Sequence, residues 1–375
     1  MQIFVEESAL SYSLTQEIIN KGYSVNIIPS YEKFFWGYKP FPELISMGKN
    51  FLFLINYKGK FFRKCPGTKN YFCCGYKIFH FGEGCPFDCS YCILQAYFNR
   101  PGLKLWANII EDGFSELAEV LRFHKEKKEV LRIGTGEFAD SMALEYICGV
   151  SEKLIYFWKE KDPLAILELK TKAFIPESYF SKLPSDPRII FAWSVNTEKI
   201  IAEEEKKAVS LEARIKSAQL AIKYGFTVAF HFDPIIFYEE AENEYPQVLE
   251  KILNVIPLEK IAWISLGTLR YPKELKEIAE KRFPETKIYS FEFIDGLDLK
   301  KRYFIDLRKK LYNSFKKIIK EVEDKVTFYF CMEGERCWNE VLNKPIHSSF
   351  EVAQLLDKVA LRLCGMKVFK EVKIL

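Results

Sequence analysis

Long hydrophobic runs are missing from this chain. No window reaches about 18 uncharged apolar residues, the least a membrane-spanning helix needs. The first residues, MQIFVEESAL, put no basic stretch ahead of an apolar one, so they do not read as a secretory signal. A cytoplasmic protein with no membrane partner is expected. An excess of one charge is missing too. There are 55 Lys and Arg against 51 Asp and Glu, a net charge of +4, so any nucleic-acid surface must be local. Histidine is scarce at 4, and neither low-complexity tracts nor repeats occur. Cysteine, by contrast, is plentiful at 10. In a reducing compartment such residues serve as metal ligands, catalytic groups or buried thiols rather than disulfides. A chain of 375 residues that is 49% hydrophobic can bury a large core and has room for two or three domains.

Two short strands, 2–5 and 24–28, flank the helix pattern SLTQEIINKG, a small α/β beginning. FLFLINYKGKFFRK (51–64) reads as a hairpin turning at Lys58-Gly59-Lys60. From Lys77 onward apolar strands alternate with amphipathic helices: 77–81, 129–134, 164–170, 188–195, 227–232 and 261–267. The helix at 210–225 starts at a Ser cap and stops at Gly225. Continuous apolar strands separated by helices predict a parallel sheet covered on both faces. Repeated strand-then-helix units predict a curved sheet, here a partial (β/α)6 TIM-like barrel, with its chemistry at the C-terminal strand ends. The expected layout is an N-terminal α/β extension over 1–75, the barrel over 76–285 and a C-terminal extension over 286–375. The last holds a long basic helix near 299–320 and covers the substrate side.

The stretch GCPFDCSYCI sets Cys85, Cys89 and Cys92 at C-x3-C-x2-C spacing on the loop after the first barrel strand. A closed zinc site wants four ligands, and no local fourth is present. A cluster of four irons held by three thiolates keeps one iron open for a substrate or cofactor. Three ordinary buried thiols, or a structural zinc, are the alternatives. Tyr91 is placed to cover such a cluster. The next strand ends in RIGTGEFADS, where Gly136 permits close backbone approach and Glu137 offers a carboxylate.

Together these motifs resemble the radical S-adenosylmethionine superfamily. The resemblance narrows to the spore photoproduct lyase family over YKIFHFGEGCPFDCSYCILQAYFNRPGLKLWANI (76–109), followed in order by LELKTK, WSVN, FHFDPIIFYE and LGTLRYP. It implies a radical-type partial barrel, a 4Fe-4S cluster on Cys85, Cys89 and Cys92, and S-adenosylmethionine as the source of a 5′-deoxyadenosyl radical. Cofactor contacts would come from Gly136, Glu137, Lys172, Ser194 and Asn196; Asn196 and its neighbour Thr197 also suit a helix cap. It implies a nucleic-acid substrate, DNA in preference to RNA, and a reducing partner such as flavodoxin or ferredoxin. The runner-up substrates are a peptide, protein or small metabolite, and a non-catalytic metal-bearing nucleic-acid-binding protein is the reading from another class.

Members of this family split a methyl-bridged thymine dimer and return hydrogen from a cysteine after the second sheet strand, relayed by tyrosines. This chain departs from that pattern. Thr135–Phe138 contains no cysteine, and Ile93 stands where a relay tyrosine is expected. Tyr91 and Tyr97 are the remaining candidate catalytic tyrosines. A divergent member without the donor is therefore expected to convert the lesion poorly. Cys65, Cys73, Cys74, Cys331 and Cys337 form a candidate second metal site, for an iron–sulfur cluster or zinc. Cys148 and Cys364 read as core. Arg100, beside the cluster loop, and Arg302-Tyr303, on the basic segment, are the candidate substrate contacts.

Overall fold

The computed structural model describes residues 1–37, 40–98, 100–342 and 344–366. Its main sheet curls into a partial barrel. Seven parallel strands run from Lys77–Phe79 through Leu131–Gly134, Ala165–Thr171, Ile189–Ser194, Thr227–Ile235 and Ile261–Thr268 to Thr327–Phe330. Phe62–Lys64 adds an antiparallel edge. Six of the parallel strands are the expected ones. Their interiors are almost wholly buried, as a sheet covered on both faces requires. The helix Leu211–Lys223 begins where Ser210 accepts from the amide of Ala213 at 3.3 Å and ends before Gly225, whose φ of +85° only glycine adopts freely.

Three expectations change. The hairpin over 51–64 does not form. Phe51–Ile55 instead pairs in parallel with Gln2–Glu6 and Leu103–Trp106 in a second sheet, while Phe62–Lys64 pairs with Lys77–Phe79. Two apolar runs around a glycine turn showed two strands but not which sheet each would join. The basic helix near 299–320 is a two-residue strand, Lys301–Arg302, followed by two shorter helices, Ile305–Asn313 and Lys316–Val322. The expected boundaries are also crossed. Leu103–Trp106 belongs to the N-terminal sheet, and Thr327–Phe330 supplies the seventh barrel strand. The helix Ser349–Leu363 packs on the barrel, where the buried pair Arg132–Asp357 meets at 2.6 Å. Residues 367–375 of the expected C-terminal extension lie outside the described residues.

Candidate active site

The cysteine loop is built before any metal is considered. The Gly84 amide donates to the carbonyl of Phe138 at 2.9 Å, which lays the loop beside the GTGE turn. Lys49 Nζ donates to the carbonyls of Cys85 at 2.8 Å and Phe87 at 2.5 Å. Gln95, the last residue of YCILQ, is 3% exposed and its Nε2 faces the carbonyls of Cys89, Ser90 and Cys92 at 3.1, 3.0 and 3.2 Å. Arg282 reaches Asp88 at 2.7 Å and also bonds the Gln95 carbonyl oxygen. Asp88–Cys89 pairs with Glu205–Lys206 from the far side of the barrel. Gln95, Lys49 and Arg282 were not singled out from the sequence; only the glutamine lay in a quoted motif.

All three loop cysteines border one cavity of about 410 Å³ at the C-terminal strand ends. Burial pushes the thiols of Cys85 and Cys89 up, so loading with iron must displace protons. Among the described residues, no three Cys, His, Asp or Glu side chains are placed to hold one metal ion. In a cluster each thiolate binds its own iron, so its ligands need not converge on one point. Gly136 and Glu137 line the same cavity. A Cβ on Gly136 would lie 2.8 Å from Lys170 Cβ, so the backbone passes where no side chain fits. Asp140 anchors the turn, accepting from the amides of Met142, Ala143 and Lys172 and from the Thr171 hydroxyl. Thiolate donors, a close backbone and a carboxylate on the same cavity fit an iron–sulfur cluster with S-adenosylmethionine.

Lys172 and Ser194 line the cavity at the ends of neighbouring strands. Lys172 Nζ stands 3.4 Å from Glu205 and 5.8 Å from the centre of the Tyr91 ring. Asn196 is different. It lies buried behind the wall, accepting from Tyr245 at 2.5 Å and donating to Glu205 at 3.1 Å and to Pro234 at 3.4 Å. Its amide is spent on holding the wall, not offered to a ligand. Tyr91 is also buried, but it lines the cavity, and its hydroxyl donates to Glu205. Glu205 also binds Arg214 at 2.5 Å; burial opposes its charge, but Lys172 and Arg214 hold its pKa down to about 2.

Several cavity residues escaped sequence reasoning because their partners are remote in the chain. Glu168 accepts from Tyr76 at 2.6 Å and Trp263 at 2.9 Å and pairs with His231 at 2.9 Å. Burial opposes its charge, but His231, Tyr76 and Lys170 bring its pKa down to about 2. Asp233 and Arg270 form a two-bond pair at 2.9 and 2.9 Å. Lys170 lies among them. Burial opposes its charge, yet Glu137, Glu168 and Asp233 hold its pKa above the ordinary value.

The remaining candidates divide. Cys65, Cys73, Cys74 and Cys331 line the same cavity as the cluster loop, whereas Cys337 is buried outside its lining, 3.5 Å from Glu333. Burial pushes the Cys65 thiol up to about 12. Tyr97 borders the cavity. Arg100 does not; it edges a small cleft behind the cysteine loop, its guanidinium 6.0 Å from the Tyr31 ring. Arg302 and Tyr303 are 1% and 0% exposed. Arg302 binds Asp298 at 2.7 Å and the Met332 carbonyl at 3.0 Å, and the Tyr303 hydroxyl accepts from the Phe237 amide at 3.1 Å. Both hold the C-terminal segment together and neither faces a substrate, because the segment folds as a strand tucked against its neighbours rather than as a solvated helix.

Comparison with known proteins agrees with this geometry. The family model described as spore photoproduct lyase matches residues 73–327. The chain is 24% identical over 292 residues to the spore photoproduct lyase of Clostridium acetobutylicum, covering 76% of this chain and 83% of that one. It is 25% identical over 212 residues to that of Bacillus subtilis, covering 56% of this chain and 60% of the relative. A solved spore photoproduct lyase double mutant with bound AdoMet and dinucleoside spore photoproduct superimposes with a TM-score of 0.76 at 21% identity, covering 88% of this chain and 98% of that one. A spore photoproduct lyase complexed with dinucleoside spore photoproduct gives 0.73 at 20%. With the family model spanning most of the barrel and the cysteine loop and GTGE turn meeting on one cavity, this chain belongs to the spore photoproduct lyase family of radical S-adenosylmethionine enzymes.

Proposed function

We propose that the protein splits the methyl-bridged thymine dimer of DNA back to two thymines, with Cys85, Cys89 and Cys92 as cluster ligands. The observation that carries this reading is one cavity shared by the three thiols, the Gly136–Glu137 turn and the Lys172 and Ser194 strand ends. When bound, the cluster and S-adenosylmethionine supply a radical able to take hydrogen from carbon. The chain does the rest. Glu137 accepts from the cofactor's ammonium, Lys172 pairs with its carboxylate, Ser194 bonds its ribose, and Gly136 lets the backbone come close. Gln95, Lys49 and Arg282 hold the ligand loop in shape. Lys64, Lys77 and Lys300 bring positive charge to the cavity wall, where DNA phosphates need it. Burial makes the wall an environment in which each polar contact weighs more than in water.

The test is an anaerobic incubation of reconstituted protein with reductant, S-adenosylmethionine and the dinucleotide lesion. Lesion-dependent 5′-deoxyadenosine is expected, with two thymines formed slowly because Thr135–Phe138 offers no donor cysteine. Protein that cleaves S-adenosylmethionine but leaves the lesion untouched would refute the substrate and favour a peptide or metabolite.

A further inference from the structure

Most polar groups on the inner wall of the cavity are spent on one another. Arg270 gives its guanidinium hydrogens to both oxygens of Asp233, to the Thr268 carbonyl and to the sulfurs of Cys331 and Met332. His231 turns one ring nitrogen to Glu168 at 2.9 Å and the other to Ser265 at 2.7 Å. Tyr76 gives its hydroxyl to Glu168, and Lys172 stands beside Glu205. Lys170 differs. Its side chain borders the same cavity, yet among the described residues no acceptor bonds its ammonium and no carboxylate is close enough to pair with it. We infer that Lys170 is a substrate-binding residue whose ammonium donates to a carbonyl oxygen of the lesion's pyrimidine rings; this rests on the function proposed above.

Its strand and the neighbouring turn fix where Lys170 stands. Glu168, Lys170 and Lys172 alternate along Ala165–Thr171 and its end, so all three border the cavity, stepping outward by roughly 6.6 Å each. Lys172, the outermost, belongs to the cofactor end. Glu168, the innermost, is closed off by Tyr76, Trp263 and His231. Lys170 occupies the layer between. Its carbonyl accepts from the Ser141 amide at 3.1 Å, and its Cβ lies against Gly136, where an added Cβ would stand 2.8 Å away. The stem is therefore held against the turn that carries Glu137.

Three carboxylates keep this lysine charged without bonding it: Glu137, Glu168 and Asp233 outweigh the burial that opposes its charge. Glu168 and Asp233 accept from the partners named above, and Glu137 is left for the cofactor's ammonium. The lysine thus keeps its charge with its hydrogens unspent. A buried donor without an acceptor is unfavourable, and a ligand oxygen relieves it on binding. In DNA that oxygen belongs either to a ring carbonyl or to the linking phosphate. Phosphates stay towards solvent when a pyrimidine enters a cavity, and Lys64, an exposed residue of the lining, suits them. Ring carbonyls go in with the base, so a donor in the inner layer meets those.

Lys170→Met keeps the stem and removes the donor. In reconstituted protein it should weaken binding of the dinucleoside lesion, which has no linking phosphate, by roughly ten- to hundredfold in equilibrium dialysis. The dinucleotide lesion should lose as much, while iron content and S-adenosylmethionine affinity stay those of the wild type. A loss with the dinucleotide only would move the contact to phosphate, and weaker S-adenosylmethionine binding with lesion affinity intact would move it to the cofactor; either overturns the inference. The wild-type protein offers a reading that needs no variant. With carbon-13 at its ring carbonyls, the bound dinucleoside should show one isotope-edited infrared band below its frequency in water, because a bond from a charged donor is the stronger one. Bands left at their positions in water would overturn the contact. Wild-type protein that binds neither form of the lesion would refute the proposed function itself, and this contact with it.

Discussion

Gln95→Glu is nearly isosteric, yet it should disable the cluster loop. The parent amide points its nitrogen at three carbonyl oxygens at 3.0, 3.1 and 3.2 Å, while its oxygen accepts from Arg282. In the variant an ionised oxygen faces those three acceptors. A buried acceptor left unmet costs about 1–3 kcal/mol, and the repulsion adds to it. The Arg282 contact survives and offsets part of this. A net loss of about 3 kcal/mol lowers the population of the ligating loop roughly a hundredfold. Iron and acid-labile sulfide per chain should therefore fall after reconstitution, with little change in the rest of the fold by circular dichroism. Lowering the pH should restore part of the loading, because a protonated carboxyl can again donate. A variant that loads the full complement of iron at neutral pH, and melts with the parent, would refute the view that this side chain shapes the loop.

Cys85→Ala, Cys89→Ala or Cys92→Ala should each abolish 5′-deoxyadenosine formation; full cofactor cleavage with intact iron in any of them would remove the cluster assignment. Glu137→Ala should weaken S-adenosylmethionine binding by about 1.5–3 kcal/mol, roughly ten- to hundredfold, with the cluster retained; unchanged affinity in equilibrium dialysis would make the turn merely structural. Gly136→Ala should lower that affinity as well, since its Cβ meets Lys170 Cβ at 2.8 Å, and an unaltered binding isotherm would show that the turn can give way. Glu168 and Glu205 have folded pKa values near 2 against an ordinary 4.5, so their stabilisation is complete above about pH 4.5 and is lost as pH falls towards 2. Each should steepen acid unfolding by up to about 1.4 kcal/mol per pH unit in that window, and Glu168→Gln that leaves the slope unchanged in denaturant titrations would contradict the network.

The sequence by itself determined the barrel strands, the cysteine loop and the GTGE turn. Their signals are local: runs of apolar residues long enough for one strand, three thiols within eight positions, glycines beside a carboxylate. Lys172 and Ser194 follow from the family resemblance, and both stand at strand ends on the cavity. Only the tertiary structure decided which neighbours each loop would meet. Phe51–Ile55 and Phe62–Lys64 flank a glycine turn like the arms of a hairpin, but each joins a separate sheet. Asn196, Arg302 and Tyr303 are polar in sequence and buried in the fold, satisfied by partners such as Tyr245, the Met332 carbonyl and Phe237 that no spacing rule connects. Cys65 shows the same limit from the other side: only the pairing of an edge strand with Lys77–Phe79 brings it to the cavity that the cluster loop borders. Short-range pattern fixes what a segment is, while its burial and its partners depend on long-range packing that is settled for the whole chain at once.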